Sequence, residues 1–273
     1  MLNFTAMIDN PKTTPTVLSI AGHDPSGGAG VQADIESLVS MGCHACTVIT
    51  AMTVQDTCNA YAVYPQPTNH VIDQIKVILD DFAIQIVKIG LLGSATTALA
   101  IADLLEQRPD LRVVLDPVLT AGGGTRLVSE ELVTVVKKRL LPLTTVITPN
   151  AAEARVLTGL DDLDECGRAL LALGCNYALV TGGDEPGSTI INRWFGPQSL
   201  QSVEYWQRFE GSYHGSGCTL ASALAGLLAH GHSATVAAQQ AQQYTWEAIQ
   251  AGLRPGKGQM IPGRLFWAAG NYL

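Results

Sequence analysis

Short apolar runs alternate along the chain with longer stretches in which apolar residues recur every three or four positions. The short runs are residues 16–22 (TVLSIAG), 46–52 (CTVITAM), 86–90 (IVKIG), 113–118 (VVLDPV), 146–149 (VITP) and 177–181 (YALVT). Each is short, rich in β-branched residues and closed by Gly, Pro or a polar residue, the pattern of a strand buried on both faces. Between them lie helix patterns: residues 31–41, the set Val71, Ile75, Ile78 and Leu79, the set Ala98, Ile101, Ala102 and Leu105 behind a Ser94 cap, residues 161–173, and residues 235–249. A further helix opens at Ser129, carries Glu130 and Glu131 in its first turn and Lys137, Lys138 and Arg139 in its last, and closes at Pro142, matching the helix dipole at both ends. Strand and helix in alternation predict a mostly parallel sheet with helices on both faces, an α/β/α domain. Residues 189–195 and 202–209 alternate around a Gly-Pro turn and predict an antiparallel hairpin at the sheet edge. No repeat or linker interrupts the pattern, so residues 16–273 are expected to form one domain and residues 1–15 a flexible tail.

Ligands in open α/β sheets bind beyond the carboxyl ends of the strands, and the polar residues collect there. Gly22 and Asp24 open a Gly-rich turn, HDPSGGAG, after the first strand; Gln55 follows the second; Asp116 ends the fourth; Asn150 and Glu153 follow the fifth; Thr181, Gly182 and Gly183 follow the sixth. The Gly spacing matches neither a Walker loop nor a dinucleotide fingerprint. Asp116 is a candidate divalent-metal or substrate ligand. Asn150 and Glu153, three apart at a helix start, form a capping pair or a metal pair. Lys88, embedded in the third strand, either snorkels from a strand end or supplies a cation near phosphate. Asp34, in the first helix, has by pattern alone the character of a solvated acid. Residues 120–125 (TAGGGT) are expected to form a flap.

The strongest chemical signal is residues 213–220 (YHGSGCTL), which run into an apolar stretch without proline. A tight Gly turn feeding a buried helix leaves the first N–H groups of that helix free to bind a phosphate, and Gly215, Ser216 and Gly217 let an oxyanion reach the backbone. Cys218 lies where a helix start lowers a thiol's pKa.

Composition narrows the partners. Of 273 residues 47% are hydrophobic and 15% charged, enough for a large core. The formal net charge of −8 argues against nucleic acid, and it requires any nucleotide to be held by local donors and a divalent cation. No apolar run has membrane-spanning length and the first residues lack a signal-peptide pattern, so a cytoplasmic protein is expected. Cys43 and Cys46 form a C-x-x-C, but three residues apart on a strand they face opposite ways, which favours a core pair over a redox or zinc site.

In these stretches together the chain resembles the hydroxymethylpyrimidine/phosphomethylpyrimidine kinases of thiamin biosynthesis, within the ribokinase-like superfamily. The matching segments are AGHDPSGGAGVQAD (21–34), VITA through Gln55, KIG (88–90), LDPV (115–118), TPN with Glu153, and HGSGCT (214–219). The resemblance implies a three-layer ribokinase-like fold and an ATP- and Mg2+-dependent transfer of phosphate to 4-amino-5-hydroxymethyl-2-methylpyrimidine and then to its monophosphate. It implies that Asp34 and Gln55, with Gly22, bind the pyrimidine, which moves Asp34 from a solvated acid to a substrate contact. Asn150 and Glu153 would hold the magnesium shell with Asp116 nearby. Residues 215–218 would cradle the phosphoryl group, with Cys218 as the base that takes the hydroxyl proton. Lys88, Asn150, Thr181 and Gly183 fall on the nucleotide side, and a homodimer is implied. The chain departs from the family pattern at residues 181–184 (TGGD), where relatives often read Lys-Gly-Gly-His, in its Gly-rich flap, and at residues 256–262. Two other readings stand beside this one: a pyridoxal kinase sharing the same site, and a non-catalytic binder of a pyrimidine or pyridoxal phosphate.

Overall fold

A computed structural model describes residues 14–119, 129–197 and 199–268. Most of the expected N-terminal tail and the whole of the expected flap lie outside these residues. Nine strands form one sheet in the order β3-β2-β1-β4-β5-β6-β7-β8-β9. They are β1 (Thr16–His23), β2 (His44–Gln55), β3 (Ala60–Pro65), β4 (Ile86–Ile89), β5 (Arg112–Leu115), β6 (Val146–Ile147), β7 (Tyr177–Val180), β8 (Thr189–Gly196) and β9 (Ser199–Gln207). The pairings β2-β1-β4-β5-β6-β7 are parallel. The β8–β9 hairpin closes one edge antiparallel, as expected. The other edge carries β3, also antiparallel to β2, which the hydrophobic pattern did not predict: AYAVYP is short, proline-ended and buried mainly at Ala60.

Helices cover both faces. α2 (Thr68–Asp81), α3 (Ala95–Glu106), α4 (Glu130–Val135), α5 (Ala151–Thr158) and α6 (Leu163–Ala172) pack on one side, and α1 (Gly30–Ser40), α7 (Ser216–Ala229) and α8 (Ala234–Gln250) on the other. The three layers of the ribokinase-like fold are therefore present. Their caps follow from the sequence: Ser94, Ser129, Asp162 and Ser233 each accept a backbone N–H at a helix start. The helix expected to run from Ser129 to Pro142 is instead α4 followed by a π turn and a 3-10 turn. Pro142 has no N–H to continue an α-ladder, and Arg139 reaches across to Asp103 and Glu106 of α3 at 2.8 and 2.9 Å. Cys43 and Cys46 fall in the clusters on opposite faces of the sheet, and all six cysteines are free. Order reverses at β1, whose neighbours β2 and β4 lead to opposite edges, and a crevice opens at such a switch point.

Candidate active site

A cavity of about 430 Å³ runs along the carboxyl ends of the parallel strands. Gly22, Gln55, Lys88, Asp116, Asn150, Glu153, Thr181, Gly183 and residues 215–218 all line it. Twelve of the thirteen residues to which the resemblance gave a role thus meet in one place. The exception is Asp34.

Asp34 is fully buried beneath the cavity floor and does not line it. Its carboxylate accepts Ser19 Oγ at 2.6 Å, Ser222 Oγ at 2.7 Å and Lys88 Nζ at 2.9 and 3.1 Å. Three donor groups thus make four hydrogen bonds to its two oxygens, so its carboxylate is engaged within the protein and stands away from the cavity lining, where the resemblance implied a pyrimidine contact. Lys88, equally buried, does not snorkel. A buried ammonium is tolerable only when paired and hydrogen-bonded, and Asp34 meets that need. Burial alone would lower the Lys88 pKa; Asp34, Cys218 and Asp116 outweigh it and hold the amine protonated. Its ammonium lies 3.7 Å from Asp116 Oδ2, a positive charge under the site.

Gly215 starts α7. It adopts φ of +81° and gives no side-chain cap, so the first turn of α7 faces the cavity with its backbone N–H groups. A Cβ at Gly215 would overlap the carbonyl oxygen of Gly28. Two Gly-rich turns from opposite ends of the chain therefore touch backbone to backbone, which only glycine permits. Asp24 locks the same junction, accepting Ser26 N and Ala29 N at 2.8 Å and bonding His214 Nε2 at 2.8 Å. Burial would raise the Asp24 pKa, but the hydrogen bonds from His214 and Ser26 bring it down to about 2.

Cys218, in that first turn, is buried beside Asp116, Lys88 and Asp34, whose charges all bear on its thiol. Its pKa is raised, not lowered: burial and the charges of Asp116 and Asp34 outweigh Lys88. The thiol rests protonated, contrary to the helix-start argument. Asp116 is also raised, by burial first, and its Oδ2 is buried without a hydrogen-bond partner. Glu153 completes a capping box with Asn150, accepting Asn150 N at 3.0 Å while Asn150 Oδ1 accepts Glu153 N at 2.8 Å. Its other oxygen accepts Leu119 N at 3.3 Å. Burial and then the Asp116 charge push its pKa up to about 8. Capping and an electrostatically strained acid are thus both true of Glu153.

His23, Asp24 and His214, from the two Gly-rich turns singled out in the sequence, also line the cavity, and His23 Nδ1 has no hydrogen-bond partner. The pattern missed other lining residues. Arg208, after β9, donates to the carbonyls of Gly183, Glu185 and Gly187 and brings a cation to the wall near Thr181. Phe209 and Trp246 pack with ring centroids 5.0 Å apart at the same end. An Arg at a hairpin end carries no distinguishing spacing, and only the fold brings it here.

A family model described as phosphomethylpyrimidine kinase matches residues 24–262. The hydroxymethylpyrimidine/phosphomethylpyrimidine kinase of Streptomyces coelicolor is 38% identical over 270 residues, covering 96% of this chain and 98% of that protein. Among solved structures, the pyridoxal kinase of Staphylococcus aureus in complex with ADP superposes with a TM-score of 0.84 at 26% identity, covering 93% of this chain and 95% of that one. The phosphomethylpyrimidine kinase of Clostridium difficile 630 gives a TM-score of 0.75 at 33% identity, covering 86% of this chain and 100% of that one. A cavity floored by a free helix start, with buried carboxyls beside it, suits phosphoryl transfer, and the matches show the family: the chain belongs to the phosphomethylpyrimidine kinase family and is a phosphotransferase.

Proposed function

We propose that this enzyme phosphorylates 4-amino-5-hydroxymethyl-2-methylpyrimidine with ATP, and then its monophosphate to the diphosphate used for thiamin. The observation that carries the reading is the position of the α7 start in the middle of the cavity. Gly22 and Gln55 line the side toward β1 and β2, and Asn150, Thr181, Gly183 and Arg208 line the side toward β6, β7 and β9. A flat aminopyrimidine fits the first side, with the Gln55 amide able both to donate to and accept from its amino and ring nitrogens. A nucleotide fits the second, and the phosphoryl group crosses at residues 215–218. Residues 16–273 act as one catalytic unit in this reading.

Phosphoryl transfer depends mainly on positioning and charge stabilisation. The backbone N–H groups of the α7 start and the Lys88 ammonium serve the second need. Magnesium fits the residues present. Asp116 Oδ2, without a hydrogen-bond partner, and Glu153, whose pKa is raised, are both carboxyls that a bound cation would stabilise in the charged form. Among the described residues no three acidic, His or Cys side chains converge as a metal cage, which suits an ion held by one or two carboxylates, water and nucleotide phosphates. Once bound, the ion supplies charge neutralisation of the phosphates. Cys218 is the proposed base: protonated at rest, it gives its own proton to solvent as bound cation and nucleotide offset the charge of Asp116, and the thiolate then takes the substrate hydroxyl proton.

The assembly proposed is a homodimer. Met52 and Val54 of β2 and Tyr64, which pairs with Met52 from β3, are exposed on one face of the sheet edge, an apolar surface suited to a second copy. No helix of the described residues is long and apolar enough to cross a membrane.

ATP consumption measured side by side with hydroxymethylpyrimidine, its monophosphate and pyridoxal, with and without magnesium, tests the reading. Magnesium-dependent turnover on the first two is expected. Faster turnover on pyridoxal would replace the substrate assignment, and silence on all three would leave a binding protein.

A further inference from the structure

Residues 253–264 follow α8 and run back across the acceptor side of the cavity. Gly258 N and Gln259 N donate to Thr57 Oγ1 and O at 3.0 and 2.8 Å, just beyond Gln55. Met260 N donates to Ser212 O at 2.9 Å, and His214 N donates to Met260 O at 2.8 Å, just ahead of α7. The strap ends at Arg264, which is 1% exposed and does not line the cavity. Its Nε donates to Thr219 Oγ1 at 2.8 Å, in the first turn of α7 and next to Cys218. Its Nη1 donates to Glu36 Oε2 at 2.9 Å and Gly27 O at 3.4 Å, and its Nη2 to Gly28 O. One guanidinium therefore grips the loop after β1, the helix that follows it, and the helix that receives the phosphoryl group. Its own carbonyl is fixed by Ser40 Oγ and Tyr244 OH, both at 2.8 Å.

We propose that Arg264 is a positioning residue for phosphoryl transfer, holding the acceptor-side loop at a fixed distance from the α7 start so that an alcohol, not water, receives the phosphate. The proposal rests on the kinase reading above. The planar fork matters as much as the charge, because a lysine offers donors from one point and cannot reach Thr219, Glu36 and two carbonyls together. Small displacements at this junction are expensive: a misplacement of about 1 Å from outside the chemistry costs on the order of a hundredfold in rate.

The test is Arg264→Lys in the full-length enzyme, with ADP and phosphorylated alcohol measured in the same reaction. Product turnover is expected to fall on the order of a hundredfold. The KM for ATP stays near the wild-type value, and the ratio of ADP to product rises severalfold as water takes the phosphate. A residue that only stabilised the fold would lower both products in proportion to the folded fraction, so an unchanged ratio overturns the proposal. If Arg264→Lys does not fold, Thr219→Val, which removes one acceptor of the guanidinium, carries the same expectation and the same refutation. A wild-type enzyme that phosphorylates no alcohol would instead remove the kinase reading itself.

Discussion

Cys218 stands between two opposed influences. A helix start favours its thiolate, while burial and two nearby carboxylates favour its thiol, and the second effect wins. Cys218→Ala should therefore leave the fold and ligand binding in place and lower turnover about a hundredfold, the low end for a general base; near-normal turnover would remove it from proton transfer. Asp34 makes a different prediction. Its loss strands the buried Lys88 ammonium, so Asp34→Asn should destabilise the protein by roughly 3–5 kcal/mol in urea unfolding, and a midpoint equal to wild type would contradict the pairing. Asp24 sets an acid limit. Its folded pKa of about 2 lies below the ordinary 3.8, so its contribution is complete above that ordinary value and is lost as pH falls towards 2. Asp24→Asn should flatten the acid side of the stability profile over that interval, and parallel profiles would refute the assignment. Many of the cavity residues were legible in the sequence because they end strands or open the Gly-rich start of α7. Asp34 was not, because a helix acid shows its face only through its partner, and Lys88 lies 54 positions away.

At the scale of elements, the junction of the loop after β1 with the start of α7 is where backbone geometry decides function. Gly215→Ala would place a side chain at φ of +81° and against both the Gly28 carbonyl and Arg264 Nη2, 2.9 Å away. The strained backbone alone costs of order 1–3 kcal/mol, and relief of the overlap must part the two turns. A lowered melting temperature together with loss of product formation is expected; an alanine enzyme with full turnover would show that the turns need not touch. The strand and helix pattern was readable here from hydrophobic period and caps, since β1, α1 and α7 are each locally determined. Their contact was not, because Gly28 and Gly215 are brought together only by tertiary packing. β3 escaped for a related reason. AYAVYP has too few buried positions to announce a strand, and it is one through pairing with β2.

For the whole molecule, the uncovered face of the β2–β3 edge bears on assembly. Tyr64, 59% exposed beside Met52 and Val54, is suited to a contact between copies. Tyr64→Lys should shift sedimentation from dimer to monomer without unfolding; a monomeric wild type would end the proposal. The net charge of −8 makes a nucleotide's approach depend on local cations. The fold sorts these by reach: Lys88 is committed to Asp34, whereas Arg208 stands on the cavity wall.

The clamp at Arg264 also sets an order of events in the making of the enzyme. Gly28 and Arg264 are 236 positions apart, and a growing chain leaves the ribosome at about 5–20 residues per second. The loop after β1 is therefore in solution for many seconds before the side chain that grips it has been synthesised. The early strands can pair in that interval, but the catalytic junction cannot close.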